Sequence, residues 1–321
     1  MTYAIFSDIH GNNFALQAAL ADAKTQGADE YILIGDYASR FPWGNDVVNT
    51  IRNLSPSHII KGNGEGYFFD MKKSQGSMTD EQFKPLKWSY DTLSPDNLAY
   101  LLALPNTAKI SKGGVDIYLA HAIDFFYHPA VIDLFHTMNY SAMMLSTPIS
   151  HKEYLTRGKD ALLAHPETLA AILALPRGVH LFGHNHLQFH MEHEGRIFIN
   201  PGSCGMAADW NPTAAYTILT IKNSAWTIKE RRVEYDYNKA AKGFITSGYN
   251  DYSQIWSEVT QQQMTTGKEY FGWFLEHLAK TRNRLNTSPT EVWQTAAKTW
   301  QARGCFFYGS LLHSQQPNCT N

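Results

Sequence analysis

Seven polar side chains of metal-ligand type stand immediately after short apolar runs, and no other feature restricts this chain as much. Asp8 and His10 follow the run at 3–6, Asp36 follows 31–34, and Asn63 follows 58–60. His121 follows 116–120, and His184 with His186 follows 179–182. Open α/β sheets build their sites from strands that bring their carboxyl ends to one crevice. Carboxylates, imidazoles and an amide in this number suit two divalent cations better than one. The pattern predicts an α/β chain with a two-metal hydrolytic centre along one edge of its sheets.

Local periodicity supplies the scaffold. Leu16, Ala19, Leu20 and Ala23 recur at helical spacing, so a helix is expected from about Asn13 to Lys24, capped by Asn12 or Asn13 and ended by Gly27. With helical character over 46–54 between strands at 31–34 and 58–60, the opening segment reads as βαβ units with parallel pairing. Residues 67–104 read as mostly helical, with Thr79 or Ser94 as caps and Pro105 as a stop. Hairpins are expected for 106–110 with 115–120, 188–193 with 196–199, and 214–221 with 225–233. Parallel pairing thus belongs to the first half and antiparallel pairing to the second, giving two packed mixed sheets flanked by helices.

Two stretches fall outside this alternation. Residues 123–165, rich in Phe, Tyr, His and Met, lie between two donor-bearing strands, where a lid or specificity insert belongs. From Asp236 the pattern turns helical. Tyr252, Ile255, Trp256 and Val259 form one stripe, Phe271, Phe274, Leu275 and Leu278 a second, and Trp293, Ala296, Ala297 and Trp300 a third. These aromatic stripes read as core rather than as a partner groove. The expected division is 1–235 for the sheet domain, 236–303 for a helical extension and 304–321 for a loose tail.

Composition narrows the function classes. Hydrophobic residues make up 44% and charged residues 17% of 321, as in ordinary globular proteins. A net charge of −2 argues against stable nucleic-acid binding, although a small anionic substrate could still be held by cations in a pocket. Cys204, Cys305 and Cys319 form no CxxC and no disulfide framework. No apolar run approaches the ~18 residues of a membrane span. A strand beginning at residue 3 leaves no room for a signal peptide, so a cytoplasmic address is expected.

Hydrolysis of a phosphate ester needs a deprotonated water, neutralised phosphoryl oxygens and in-line geometry. Two cations about 3.5–4 Å apart supply all three. An isolated aspartate after a strand, such as Asp36, suits a bridging ligand, while histidines and the Asn63 amide keep the site able to accept an anion. Imidazole ligands favour Mn, Fe, Zn, Ni or Co over Mg or Ca, and Mn is the favoured pair here.

The ordered motifs SDIHGN, GDY, GN, AH, GHNH and NPGS resemble the calcineurin-like metallophosphoesterase superfamily over roughly residues 1–235. Within it the chain is similar to the small branch that includes archaeal and bacterial phosphodiesterases and the vacuolar sorting protein 29 fold. The resemblance implies a four-layer α/β/β/α sandwich. It also implies one metal held by Asp8, His10, Asp36 and His186 and another by Asp36, Asn63, His121 and His184. Asp36 would bridge them, a metal-bound hydroxide would attack phosphorus, and the surroundings of Asn63 and His121 would stabilise the developing charge.

The chain departs from the family pattern after Asn63, where many members carry a histidine that resembles a general acid and this sequence has Gly64 and Glu65. Glu65 or a residue of the insert is the candidate replacement. The expected substrate is a phosphodiester or a nucleotide phosphoanhydride. KERRVEYDY at 229–237 is similar to a subgroup associated with diadenosine tetraphosphate cleavage, and Phe125, Phe126 and Tyr127 could stack on a base.

Plainer roles stand beside these. Gly11, Gly35, Gly62 and Gly183 suit turns at positive φ, and Asn200 to Ser203 suit a supporting turn beneath the site. Asn12 suits a cap as well as a phosphate contact, and Asn185 suits orienting its histidine neighbours. Arg231 and Arg232 suit surface ion pairs, His128, His136, His151 and His165 suit packing or surface roles, and His190 and His193 suit solvent. Cys204 suits a small buried position. Two rival functions remain at this level: a phosphoprotein phosphatase on the same scaffold, and a non-enzymatic interaction module.

Overall fold

A computed structural model describes residues 1–73, 81–147, 149–223, 225–285 and 287–309. Ten strands are described: β1 (Thr2–Phe6), β2 (Glu30–Ile34), β3 (His58–Ile60), β4 (Thr107–Lys112), β5 (Val115–Ala120), β6 (Gly178–Leu181), β7 (Gln188–His193), β8 (Arg196–Pro201), β9 (Ala214–Lys222) and β10 (Ala225–Val233). They form two five-stranded sheets, ordered β10-β9-β1-β2-β3 and β4-β5-β6-β8-β7.

Both sheets are mixed, as expected, but the parallel pairs are not confined to the first half. β1, β2 and β3 pair in parallel, and so do β5, β6 and β8. The first sheet is completed by the late hairpin, because β9 returns antiparallel to β1. Local signals define hairpins, but only burial of a whole face decides which sheet a hairpin joins. The first hairpin runs longer than expected, to Lys112. Gly113 and Gly114 turn it with φ of 60° and 77°, the left-handed pair that a two-residue loop requires.

Strand alternation sets the layers. Tyr3 and Ile5 of β1 face inward with Ile32, Ile34 and Ile60, against Ile117, Leu119, Val179, Leu181, Ile197 and Ile199 of the other sheet. Ala4, Phe6 and Leu33 point the other way, onto α1 (Asn13–Thr25) and α2 (Gly44–Leu54). Each buried aliphatic side chain contributes roughly 1.5–3 kcal/mol. A one-residue slip of β1 would drive Phe6 between the sheets and lose that packing. Asn12 is the cap of α1, accepting from Ala15 N at 3.1 Å, and Gly27 follows the helix at φ 76°.

Between β3 and β4 lie α3 (Asn63–Lys73), α4 (Lys84–Thr92) and α5 (Pro95–Ala103), the last capped by Ser94. Thr79 lies outside the described residues. The insert contains two 3-10 turns, Asp124–Tyr127 and Ile132–Leu134, then α6 (Thr137–Ser146) and α7 (His151–Ala164). It continues through α8 (Pro166–Ala174), past the expected boundary at 165. Phe125, Phe126, Phe135, Tyr154 and Leu162 pack against Phe182, Phe189 and Phe198, which makes the outer helical layer of the second sheet. Phe125 and Phe126 are therefore core and are not free to stack on a base.

The C-terminal part comprises α9 (Tyr237–Thr246), α10 (Tyr249–Tyr252), α11 (Gln254–Thr266), α12 (Tyr270–Leu285) and α13 (Pro289–Gly309). Its aromatic stripes are core: Trp256, Phe271 and Phe274 pack with Phe244 and Tyr249 onto Phe41, Trp43 and Met206 beside the donor loops. Helical backbone runs to Gly309, into the segment expected to be a tail, and 310–321 lie outside the described residues. No helix among the described residues is long and apolar enough to cross a membrane.

Candidate metal centre

The donor loops leave the carboxyl ends of β1, β2, β3, β5 and β6, from both sheets, and run side by side at one edge. Backbone hydrogen bonds stitch them together: Asp8 N to Gly35 O at 3.1 Å, His10 N to Asp36 O at 2.9 Å, and Gly183 N to His121 O at 2.9 Å. Asp8, His10, Asp36, His184 and His186 all sit at positive φ, between 52° and 69°. That region costs a non-glycine residue roughly 1–2 kcal/mol, and such outliers cluster at functional sites. Of the four glycines expected there, Gly11 and Gly35 have positive φ. Gly62 and Gly183 serve differently: a Cβ on Gly62 would strike the Asp36 carboxylate, and one on Gly183 would strike Ser7 Oγ and Asp8 Oδ2.

All seven predicted donors converge. Asp8 Oδ1 stands 3.3 Å from His186 Nε2, 3.7 Å from His10 Nε2 and 3.9 Å from His121 Nε2. Asp36 offers Oδ2 to His10 Nε2 at 3.8 Å and Oδ1 to His121 Nε2 at 3.6 Å, so its two oxygens face two groups of nitrogens. Asn63 Oδ1 lies 3.0 Å from His121 Nε2 and 2.7 Å from His184 Nδ1. Two triads have ligand atoms mutually within 4.8 Å: Asp8, His10 and His186, and Asp8, Asp36 and His121. Asp8 therefore borders both groups, where the sequence singled out Asp36 alone as shared.

The site's own chemistry fits cations. Asp8 is fully buried, yet its Oδ1 has no hydrogen-bond partner. A buried carboxylate oxygen without a donor is costly unless a positive charge meets it. The imidazoles are turned for the same purpose. His121 Nδ1 meets Ile34 O at 2.6 Å, His186 Nδ1 meets Met206 O at 2.8 Å, and His10 Nδ1 meets Ser39 Oγ at 3.2 Å. A carbonyl at Nδ1 fixes the proton there and leaves the Nε2 lone pair directed at the cluster.

Electrostatics within the cluster are strongly coupled. Burial pushes the Asp8 carboxyl up, but the nearby His186, then His121 and His10, hold it well below the usual range. Burial lowers His10 to about 3, whereas the Asp8 carboxylate overcomes burial at His186 and raises it to about 8.

Supporting residues surround the donors. Asn200 Nδ2 donates to Gly183 O at 2.9 Å and to Asn185 Oδ1 at 2.6 Å, and its Oδ1 accepts from Gly202 N, which fixes the loop carrying His184 and His186. Asn200 and Pro201 belong to the end of β8 rather than to a turn. Ser203 Oγ donates to Asp8 O at 2.7 Å. Cys204 is buried, and burial pushes its thiol far up.

Glu65 does not face the cluster's open side. It is 1% exposed, and its oxygens accept from Asp36 N at 2.9 Å, Tyr37 N at 2.9 Å and Gly62 N at 2.8 Å. Burial and the charge of Asp36 raise it to about 7, against the pull of these three donors. With both oxygens engaged by backbone, Glu65 clamps the Asp36 loop to the Asn63 loop, and neither oxygen is directed at a leaving group.

Other expected contacts also lie elsewhere. Asn12 is fully buried as a cap, with Nδ2 on Gly205 O, so it makes no phosphate contact. Arg231 makes a two-pronged bond to Asp22, and Arg232 pairs with Asp209. His128 pairs with Glu167 and packs on His165, and His151 meets Gln188 O. His190 pairs with Glu230 on the exposed hairpin.

Two adjoining cavities of about 400 Å³ and 320 Å³ open over the cluster and share His10, Asp36, Arg40, Asn63, Phe271 and Leu275. Of Phe125, Phe126 and Tyr127, Tyr127 lines this space and packs against His184, and Phe135 of the insert lines it as well. His136 lines it too, although packing was its expected role. Sequence reasoning missed Arg40, Tyr67, Glu269 and Phe271. Arg40, four residues past Asp36 in GDYASR, carried a readable signal; Glu269 and Phe271 carried none.

A family model described as the calcineurin-like phosphoesterase superfamily domain matches residues 1–224. An uncharacterized protein of Methanocaldococcus jannaschii is 25% identical over 249 residues, covering 75% of this chain and 91% of its own. The crystal structure of a metallophosphoesterase from Sphaerobacter thermophilus superposes with a TM-score of 0.57 at 20% identity, over 83% of this chain and 100% of that one. A hypothetical protein from Pyrococcus horikoshii OT3 gives 0.54 at 18% identity, over 79% and 97%. These structures share the sandwich fold with this chain. Since the matched segment spans every strand but β10 and every candidate donor from Asp8 to His186, the chain belongs to the calcineurin-like phosphoesterase superfamily.

Proposed function

We propose that this protein is a two-metal phosphoesterase acting on a phosphodiester or nucleotide phosphoanhydride, with Mn as the favoured metal. The observation that carries this is the unpartnered buried Asp8 Oδ1 facing three imidazole Nε2 atoms. Asp8, His10 and His186 would hold one cation and Asn63, His121 and His184 the other, with Asp36 between them. Bound there, the cations would supply a water acidic enough to attack at neutral pH and would neutralise the phosphoryl oxygens.

The chain's own residues do the positioning. Arg40 lines both cavities with Asp36 and, among the described residues, its guanidinium has no salt bridge and no hydrogen bond. It stays charged and offers forked donors to phosphate oxygens. Glu65 keeps the Asp36 and Asn63 loops in register, and Asn200 does the same for the histidine loop. No carboxylic acid or histidine is turned toward a leaving oxygen from the position after Asn63. That favours substrates whose leaving group needs little protonation, such as a nucleotide phosphate.

The test is hydrolysis of bis-p-nitrophenyl phosphate, p-nitrophenyl phosphate and diadenosine tetraphosphate, each with Mn²⁺ and with chelator. Chelator-sensitive turnover of the diester or the dinucleotide above the monoester is expected. Absence of turnover on all three in metal-loaded protein would sink the proposal.

A further inference from the structure

We infer that the C-terminal helical extension completes the substrate site: Phe271 pins Arg40 over the cluster and, with Tyr67, Phe83 and Leu86, forms a lobe for the nucleoside arm of a nucleotide ester. The inference rests on the phosphoesterase reading and names its substrate more closely.

Phe271 and Leu275 lie one turn apart on α12, beyond the residues that the family model matches, and both border the two cavities. The Phe271 ring sits under the Arg40 guanidinium, 3.8 Å from centroid to Cζ. Such a stack orients a guanidinium while leaving its N–H groups free for an anion. Phe271 is itself fixed, stacked on Trp256 at 4.5 Å and donating its N–H to Gln263 Oε1 at 3.0 Å. The extension thus sets where Arg40 points.

The larger lobe, about 400 Å³, is lined by Tyr67, Phe83, Leu86 and Leu275 together with Arg40 and the cluster residues His10, Asp36 and Asn63. Its walls are aromatic and aliphatic faces, with Asp70 and Gln82 at the same lobe. A volume of this size takes a nucleoside. Flat apolar walls with polar groups beside them suit a base that stacks on its faces and hydrogen-bonds at its edges. A guanidinium and apolar walls lining one lobe match the two parts of a nucleotide.

The experiment is titration calorimetry of Mn²⁺-loaded protein with adenosine 5′-monophosphate and with inorganic phosphate. Wild type is expected to bind the nucleotide roughly ten-fold more tightly than phosphate. Tyr67→Ala removes a side chain that is 47% exposed, so folding is safe, and should cut that margin several-fold. Phe271→Ala should cut the margin and weaken phosphate as well, because Arg40 loses its seat. Equal binding of nucleotide and phosphate by wild type, or a margin untouched by Tyr67→Ala, overturns the nucleoside lobe. Hydrolysis of bis-p-nitrophenyl phosphate run in parallel separates the two ideas. Turnover without a nucleotide margin refutes the lobe alone, and a margin without turnover on any ester refutes the phosphoesterase reading.

Discussion

His10 Nε2 and His186 Nε2 face each other across 3.0 Å, while both rings hold Nδ1 against the protein, His10 on Ser39 Oγ and His186 on Met206 O. Two nitrogens at that spacing match neighbouring ligand positions on one cation with metal–nitrogen bonds of about 2.1 Å. Metal binding should therefore stabilise the fold. Mn²⁺ at about 100 times its dissociation constant is expected to add about 2.7 kcal/mol, and chelator to remove it. Thermal melts across a metal titration check this, and a melting temperature indifferent to Mn²⁺, Zn²⁺ and chelator would count against the centre.

Asp36→Asn keeps the shape of the side chain and its acceptance of the Gly64 N–H, but removes the charge that faces both groups of nitrogens. Metal content, read by elemental analysis, and turnover should fall together. The loss should exceed the roughly 10–100-fold that outer-shell changes cause. A variant that stays active with full metal would contradict the bridging role.

Glu65→Gln separates a clamp from an acid. The amide places an NH₂ against backbone N–H groups now met by the carboxylate, so a loss of roughly 1–3 kcal/mol is expected in denaturant unfolding. The dependence of rate on leaving-group basicity should keep its slope. A slope that steepens selectively for poor leaving groups would restore Glu65 as the proton donor.

Asn200→Ala touches no predicted donor yet releases the Gly183–Asn185 segment that aims His184 and His186. Metal affinity measured by competition with a chelating dye should drop about 10–100-fold. Unchanged affinity would show that the strand end holds the loop without Asn200.

The Arg231–Asp22 pair predicts an acid limb. Hydrogen bonds from Arg231 and then Tyr216 outweigh partial burial and hold the Asp22 carboxyl below its usual value. A depressed folded pKa stabilises at neutral pH, and the contribution is lost as pH falls from about 4 through the folded value. Asp22→Asn should cost roughly 1 kcal/mol at pH 7, allowing for solvent screening, and flatten the loss of stability as pH falls below about 4. Parallel acid melts that keep the same slope in both proteins would refute the assignment.

The sandwich and its donors were legible because their causes are local. Alternating Tyr3, Ile5, Ile32 and Ile34 can bury one face only in register, and each donor directly follows the strand that delivers it. Sheet membership was not legible for β9, since a hairpin records its own turn and not its neighbour. Glu65 shows the same limit. Its position after Asn63 suggested chemistry, but the partners of its oxygens come from Asp36, Tyr37 and Gly62, and only folding brings those N–H groups together.

The sequence alone determined the identity and order of the candidate donors, the strands that carry them and the superfamily, because these depend on spacing along the chain. Tertiary structure alone decided that Asp8 borders both groups of nitrogens, that Phe125 and Phe126 are core, and that Phe271 seats Arg40. Each of those depends on side chains far apart in sequence sharing one desolvated space, and strand or helix period does not record that distance.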